Sequence, residues 1–178
     1  MPTLVTEMLV VLVDGGRLFV LAKAYPDMLE VGRMPTAVED RTHFGAWCII
    51  SAPLILGLDL RDDKEADKVW DIITNKEAIA VNQAWAGSPG HLLKATPDGK
   101  QVFTKPQPNG AVAVLFLNGA PLNATASTFG IALSDLGLSG TVAVRDIWKR
   151  ADLAKATGKF TTDAVAPHDS RFFVFGGK

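Results

Sequence analysis

Two carboxylates stand where chemistry could be done. Asp27 follows Tyr25-Pro26 at the end of the apolar run Leu18-Phe19-Val20-Leu21-Ala22, and Asp59 closes a second run, Leu54-Ile55-Leu56-Gly57-Leu58. A carboxyl group at a strand end faces the ligand-bearing rim of an α/β fold, where two such groups can divide acid–base or nucleophilic work. A helix follows Asp59, so its oxygens are better used bonding nearby backbone N–H groups as a cap or Asx-turn. A lone Pro-Asp also serves as an ordinary turn with a solvated aspartate.

The remaining reactive side chains are scattered. His43, His91 and His168 fall in a helix, at the entrance to the second half and in a late turn, without metal-ligand spacing, and structural roles are expected. The single cysteine, Cys48, lies in an apolar helical stretch, which predicts a buried, inert thiol and leaves no intrachain disulfide. No cofactor is implied. Asn123-Ala124-Thr125 is a formal glycosylation sequon that matters only in a secreted protein.

Stepping along the chain, residues 8–13 and 17–24 predict two strands joined by Asp14-Gly15-Gly16, a tight-turn signal. The second strand delivers Pro26-Asp27-Met28. Thr36-Ala37-Val38-Glu39 then spells a capping box, in which the Thr36 oxygen accepts from the Glu39 N–H and the Glu39 side chain reaches back to the Thr36 N–H. A helix is expected from Ala37 to Ala52, with Val38, Phe44, Trp47, Cys48, Ile49 and Ile50 as its apolar stripe and Pro53 as its stop. Residues 54–58 are apolar on both faces, as a buried parallel strand is. A second helix is expected from Lys64 to Asn75, with Ala66, Val69, Trp70, Ile72 and Ile73 inward. The order strand, helix, strand, helix implies parallel pairing with right-handed crossovers.

After Gln83 the period changes. Short β-type runs at 91–95, 101–105, 111–118, 124–132, 141–148 and 170–175 are separated by Pro-Asp-Gly, Pro-Asn-Gly, Asn-Gly and Leu-Ser-Gly turns, which predicts an antiparallel sandwich or barrel. Its core should include Val112, Val114, Phe116, Val142, Val144, Ile147, Phe173 and Phe175, which alternate at period two. The boundary is placed near residue 82, giving domains 1–82 and 83–178. Charge agrees with that division: residues 1–82 carry 8 Lys+Arg against 13 Asp+Glu, and residues 83–178 carry 10 against 6.

The whole chain has 48% apolar and 21% charged residues with a formal net charge of −1, the balance of an ordinary globular protein with nothing that points to nucleic acid. No run approaches the roughly 20 apolar residues needed to cross a bilayer as a helix, so no membrane partner is implied. Met1 to Val13 carries only a short apolar run, Glu7 and no basic residue, which makes a poor signal peptide.

Four blocks together resemble a known family: Pro26-Asp27-Met28-Leu29-Glu30-Val31-Gly32, Arg41-Thr42-His43-Phe44-Gly45-Ala46-Trp47, Ser51 through Arg61, and Asn75 through Gln83. In this order and spacing they resemble the melibiase-type α-galactosidases, a family of retaining glycoside hydrolases. The likeness extends to Asp135 through Gly140, Val144-Arg145-Asp146-Ile147-Trp148 and Val165-Ala166-Pro167-His168. It implies the last strands and helices of a (β/α)8 TIM barrel followed by an antiparallel β-sandwich. It also implies that Asp27 and Met28 line a galactose pocket, Asp27 accepting hydrogen bonds from sugar hydroxyls. Lys23-Ala24-Tyr25 departs from the Trp-Asn-Asp that usually precedes the proline in that family, and residues 1–20 match none of its blocks.

Retaining glycosidases use two carboxyl groups about 5 to 5.5 Å apart, one as nucleophile and one as acid/base. In the family resembled, both lie on earlier strands, and neither the Lys-Tyr-Asp block nor the Arg…Asp block occurs in this sequence. The expected function is therefore hydrolysis of terminal α-galactosides by the full-length protein, with the 178-residue chain inactive by itself. The alternatives are an α-N-acetylgalactosaminidase of the same family, or a non-catalytic carbohydrate-binding or structural remnant. Carbohydrate is the expected partner, and exposed strand edges predict self-association. The family is mostly secreted or lysosomal. Trp85, in Gln83-Ala84-Trp85-Ala86-Gly87, is expected to pack between the two domains rather than stack on a sugar.

Overall fold

The computed structural model describes residues 29–177. The strands expected at 8–13 and 17–24, and both Asp27 and Met28, lie outside the described residues. Three helices come first: α1 (Ala37–Ile49), α2 (Asp63–Ile73) and α3 (Lys76–Gln83). Eight strands follow: β1 (His91–Ala95), β2 (Lys100–Pro106), β3 (Val112–Asn118), β4 (Gly130–Ala132), β5 (Thr141–Asp146), β6 (Ala151–Thr157), β7 (Lys159–Thr161) and β8 (Ser170–Phe175).

Each helix starts at a side-chain cap. Thr36 Oγ1 accepts from the Glu39 N–H at 3.2 Å, Asp62 from the Lys64 and Glu65 N–H groups, and Asn75 from those of Glu77 and Ala78. These side chains satisfy donors that the first helical turn leaves without partners. Helix α1 ends at Ile49, earlier than Pro53 suggests, because Ser51 adopts a left-handed conformation with φ 61°.

The strands form one antiparallel sheet in the order β1-β2-β3-β8-β5-β6-β7-β4. Strand β3 sits near its centre, with Phe116 opposite Val102 on one side and Val114 opposite Phe173 on the other. Its residues alternate between two cores. Ala113, Leu115 and Leu117 join Phe103, Phe172 and Ile147 beneath the helices, where Leu29, Phe44, Trp47 and Ile49 are also buried. Val114 and Phe116 join Phe129, Ile131, Val144, Phe173 and Phe175 on the opposite face. The β7 ring of Phe160 lies 6.4 Å from Phe116 although three strands separate β7 from β3, so the sheet curls over that second core in sandwich fashion.

The expected core residues are therefore found inside, except that Val112 and Val142 are only partly buried at the edge of the second cluster and Ile147 faces the helices. Strands β6 and β7 had no expected counterpart. Residues 54–58 form no strand, only a parallel bridge from Leu56 to Leu29, because no further strand among the described residues flanks them.

Helix α1 is buried almost all round, as befits a helix lying between the sheet and the segments around Leu29 and Leu56. Its glycine matters: a Cβ on Gly45 would meet the Trp148 ring at 2.8 Å and Leu115 at 3.1 Å, so only glycine permits this approach to the sheet. Asn82 donates to the Trp47 and Ala52 carbonyls at the end of α1, at 3.2 and 2.8 Å. The fully buried Lys105 donates to the Val81 and Asn82 carbonyls at the end of α3, where a cation complements the helix dipole. Burial lowers this lysine to about 8.

Two tryptophans contradict the sequence reading. Trp70 is 54% exposed on α2 and Trp85 is 64% exposed after α3. The helical period places Trp70 beside Ala66 and Val69, but no described element covers its outer side. Trp85 follows Ala84, whose extended backbone carries the chain off the helix and away from the cores.

Candidate functional site

The described residues nearest to Asp27 and Met28 are those that follow them directly, 29–34. Leu29 is fully buried and donates from its N–H to the Ile55 carbonyl at 2.7 Å, and its own carbonyl accepts from the Gly57 N–H at 3.0 Å. One residue on, the Glu30 N–H donates to His43 Nε2 at 3.1 Å. Two residues further, the Gly32 N–H donates to Asp40 Oδ1 at 2.6 Å. Gly32 has φ 91° and its missing side chain leaves room for Leu58, so the turn requires glycine. Four main-chain bonds within four residues thus fix the segment that leaves Met28.

Both holding side chains belong to α1 and lie three residues apart, on adjacent turns of one face. Burial of Asp40 pushes its carboxyl up, and the N–H groups of Gly32 and Met34 hold it partly back. His43 is 2% exposed, and burial lowers it to about 4, so the ring is neutral at neutral pH. A neutral imidazole that accepts at Nε2 carries its proton on Nδ1. That Nδ1–H has no partner among the described residues, while the ring stacks on Trp47 with centroids 4.0 Å apart.

The sequence singled out neither Asp40 nor His43 as a holder of this loop. The available signal was a run of polar residues, Glu39 to His43, opening a helix whose later positions are apolar.

Asp59 is not part of this arrangement. Its Oδ1 accepts from the Arg61 N–H at 3.0 Å and from Arg61 Nε at 2.9 Å, and Oδ2 accepts from Nη2 at 2.8 Å, which is the expected local turn. The Arg61 side chain and N–H hold this exposed carboxyl below its usual range. His91 Nε2 lies 3.4 Å from Thr104 Oγ1, and His168 Nδ1 lies 2.8 Å from Glu39 Oε1. Cys48 is buried, and burial pushes its thiol up, so it is a poor nucleophile.

Among the described residues no group of three metal-ligating side chains comes together. A cavity of about 440 Å³ opens between α3 and strands β5 and β8, away from Leu29. Its charged wall is closed on itself, since Arg145 is held by Glu77 at 2.6 and 3.0 Å and by Asp152 at 3.3 Å.

A helical layer with one pinned segment beside a parallel bridge is backed by a curled antiparallel sheet of sandwich type. Two families match in the corresponding places: alpha galactosidase A over residues 20–84, and the alpha galactosidase C-terminal beta sandwich domain over residues 97–175. The chain belongs to the melibiase-type α-galactosidase family and matches its C-terminal portion.

Individual relatives agree. An α-galactosidase of Oryza sativa is 38% identical over 152 residues, covering 84% of this chain and 34% of that protein. The crystal structure of α-galactosidase I from Mortierella vinacea superposes with a TM-score of 0.73 at 31% identity, over 84% of this chain and 38% of that one. A GH27 β-L-arabinopyranosidase from Geobacillus stearothermophilus, solved in complex with arabinose, gives 0.73 at 26% identity, over 85% and 37%. The chain spans about a third of the length of the relatives it matches.

Proposed function

We propose that this chain supplies the sugar-contacting C-terminal part of a retaining glycoside hydrolase that acts, in its full-length form, on terminal α-D-galactosyl residues. On this reading residues 1–82 belong to the C-terminal part of a (β/α)8 barrel and residues 83–178 to the β-sandwich that follows. Asp27 and Met28 contact the sugar, with Asp27 accepting hydrogen bonds from its hydroxyls.

The observation that carries this reading is the pinned segment 29–32. It lies immediately after Pro26-Asp27-Met28, and its first residue, Leu29, makes a parallel bridge to Leu56, the kind of pairing that neighbouring barrel strands make. The sugar class rests on the relatives, which are α-galactosidases in rice and Mortierella.

The pocket residues bind but do not cleave. A hydroxyl-to-carboxylate hydrogen bond stabilises the bound sugar, whereas passage through the oxocarbenium-like transition state needs a nucleophile and a proton donor. Asp59, tied to Arg61 on the surface, supplies neither. The test is release of nitrophenol from nitrophenyl α-galactoside by the purified chain, with Asp27→Ala and Asp59→Ala as controls. No turnover is expected. Turnover abolished by both substitutions would make those two aspartates the catalytic pair and overturn the assignment.

A further inference from the structure

Helix α1 holds the Met28-proximal segment with one set of side chains and the sheet with another. Asp40 and His43 take the N–H groups of Gly32 and Glu30. Between and beside them, Glu39, Arg41 and Thr42 make three successive rungs to the loop entering β8. His168 Nδ1 is 2.8 Å from Glu39 Oε1, Arg41 Nη2 donates to Asp169 Oδ1 at 2.7 Å, and Thr42 Oγ1 donates to Ser170 Oγ at 3.1 Å. These rungs join residues 128 or 129 apart in sequence. Glu39, Thr42, Asp169 and Ser170 are buried, so water cannot substitute for the bonds.

The first rung reaches furthest. An ionised Glu39 can only accept, so His168 donates its Nδ1–H to it. The other Glu39 oxygen accepts from Thr36 Oγ1 at 3.0 Å, and Thr36 Oγ1 accepts from the Glu39 N–H. His168 therefore completes the cap of α1 from a distance. Asp40, the holder of Gly32, lies in the same first turn that this cap secures.

The His168 backbone is fixed independently. It sits in the left-handed region at φ 61°, and its N–H donates to the Asn118 carbonyl at 2.7 Å.

We infer that His168, in the turn before β8, is a positioning residue for the segment 29–32 that directly follows Met28, acting through Glu39 and the first turn of α1. This rests on the sugar-contact reading of Asp27 and Met28 only for its consequence, not for the coupling itself. The sheet then does more than cover the helices: it sets how firmly residues 29–32 are held.

The test is amide hydrogen exchange on the full chain in three variants. His168→Ala removes the bond to Glu39. His168→Asn restores a donor at the reach of Nδ1, on a residue that tolerates the left-handed backbone, so the pair isolates the hydrogen bond. Val114→Ala, in the second core, lowers global stability without touching the rungs. The Glu30 and Gly32 amides should exchange at least tenfold faster in His168→Ala and return to within about threefold in His168→Asn, whereas Val114→Ala should change them only in step with the sheet amides.

Unchanged exchange at Glu30 and Gly32 in His168→Ala overturns the coupling. So does an increase that Val114→Ala reproduces, or one that His168→Asn fails to correct. None of these readouts depends on sugar, so a failure of the sugar-contact reading would appear in Asp27 activity measurements and not here.

Discussion

Acidification should destabilise this chain through His43, and the size of the effect follows from its burial. The ring is 2% exposed and has an ordinary value of 6.5 when unfolded against about 4 when folded. Because the folded value is the lower one, the unfolded chain binds the proton first, and stability falls as pH drops through the window from 6.5 to 4. Below about 4 both states are protonated and this contribution is constant. Between pH 7 and pH 4.5 these two values correspond to a loss of about 2.4 kcal/mol from this one residue.

His43→Gln is the matching control. The glutamine oxygen can accept from the Glu30 N–H, and the side chain does not titrate. Urea unfolding of both proteins at the two pH values gives four free energies, in which contributions common to both, such as that of Asp40, cancel. The parent should lose about 2 kcal/mol more than His43→Gln between pH 7 and pH 4.5. Equal losses would show that the His43 ring accepts its proton as easily folded as unfolded, and the neutral, accepting Nε2 assigned to it would be wrong.

Two further substitutions test the packing. Val114→Asp places an unpaired charge at the centre of the second core, where Val114 is fully buried opposite Phe173, and should destabilise the chain by about 3 kcal/mol or more in urea unfolding. A variant that unfolds like the parent would show that position facing solvent. Asn82→Ala leaves the Ala52 carbonyl without its donor, while the Trp47 carbonyl keeps the Ala52 N–H, so a loss of about 1 to 3 kcal/mol is expected. An unchanged midpoint would mean that water replaces the amide.

Local signals are legible in this sequence, and long-range ones are not. Thr36 and Glu39 form their cap as the spacing implies, but the Glu39 carboxylate accepts from Thr36 Oγ1 and His168 instead of reaching back to the Thr36 N–H. A partner 129 residues away leaves no trace in a four-residue motif. The turn-bounded runs gave β1, β2, β3 and β8 nearly to the residue.

Strand β6, Ala-Asp-Leu-Ala-Lys-Ala-Thr, carries alanine and lysine, which favour helix, and it is extended because β5 pairs with it. Trp70 and Trp85 were placed inside because aromatic residues at such positions usually are. The helical period tells which residues share a face, not whether anything covers it. Within the candidate site, Asp27 and Met28 lie outside the described residues, and the holding roles of Asp40 and His43 depend on how α1 packs on residues 29–32, which local sequence does not encode.

The central claim is that the Asp27–Met28 segment contacts the sugar in a complete enzyme, and one chimera tests it most directly. The chain is joined to the barrel strands that precede the matching region in the rice α-galactosidase, and kcat/KM for nitrophenyl α-galactoside is compared with and without Asp27→Ala. Each hydroxyl bond to a buried carboxylate contributes about 1.5 to 3 kcal/mol, so the substitution should lower kcat/KM at least tenfold while the melting temperature stays near that of the parent chimera. An active chimera whose kcat/KM is unchanged by Asp27→Ala would put Asp27 outside the pocket and contradict the account.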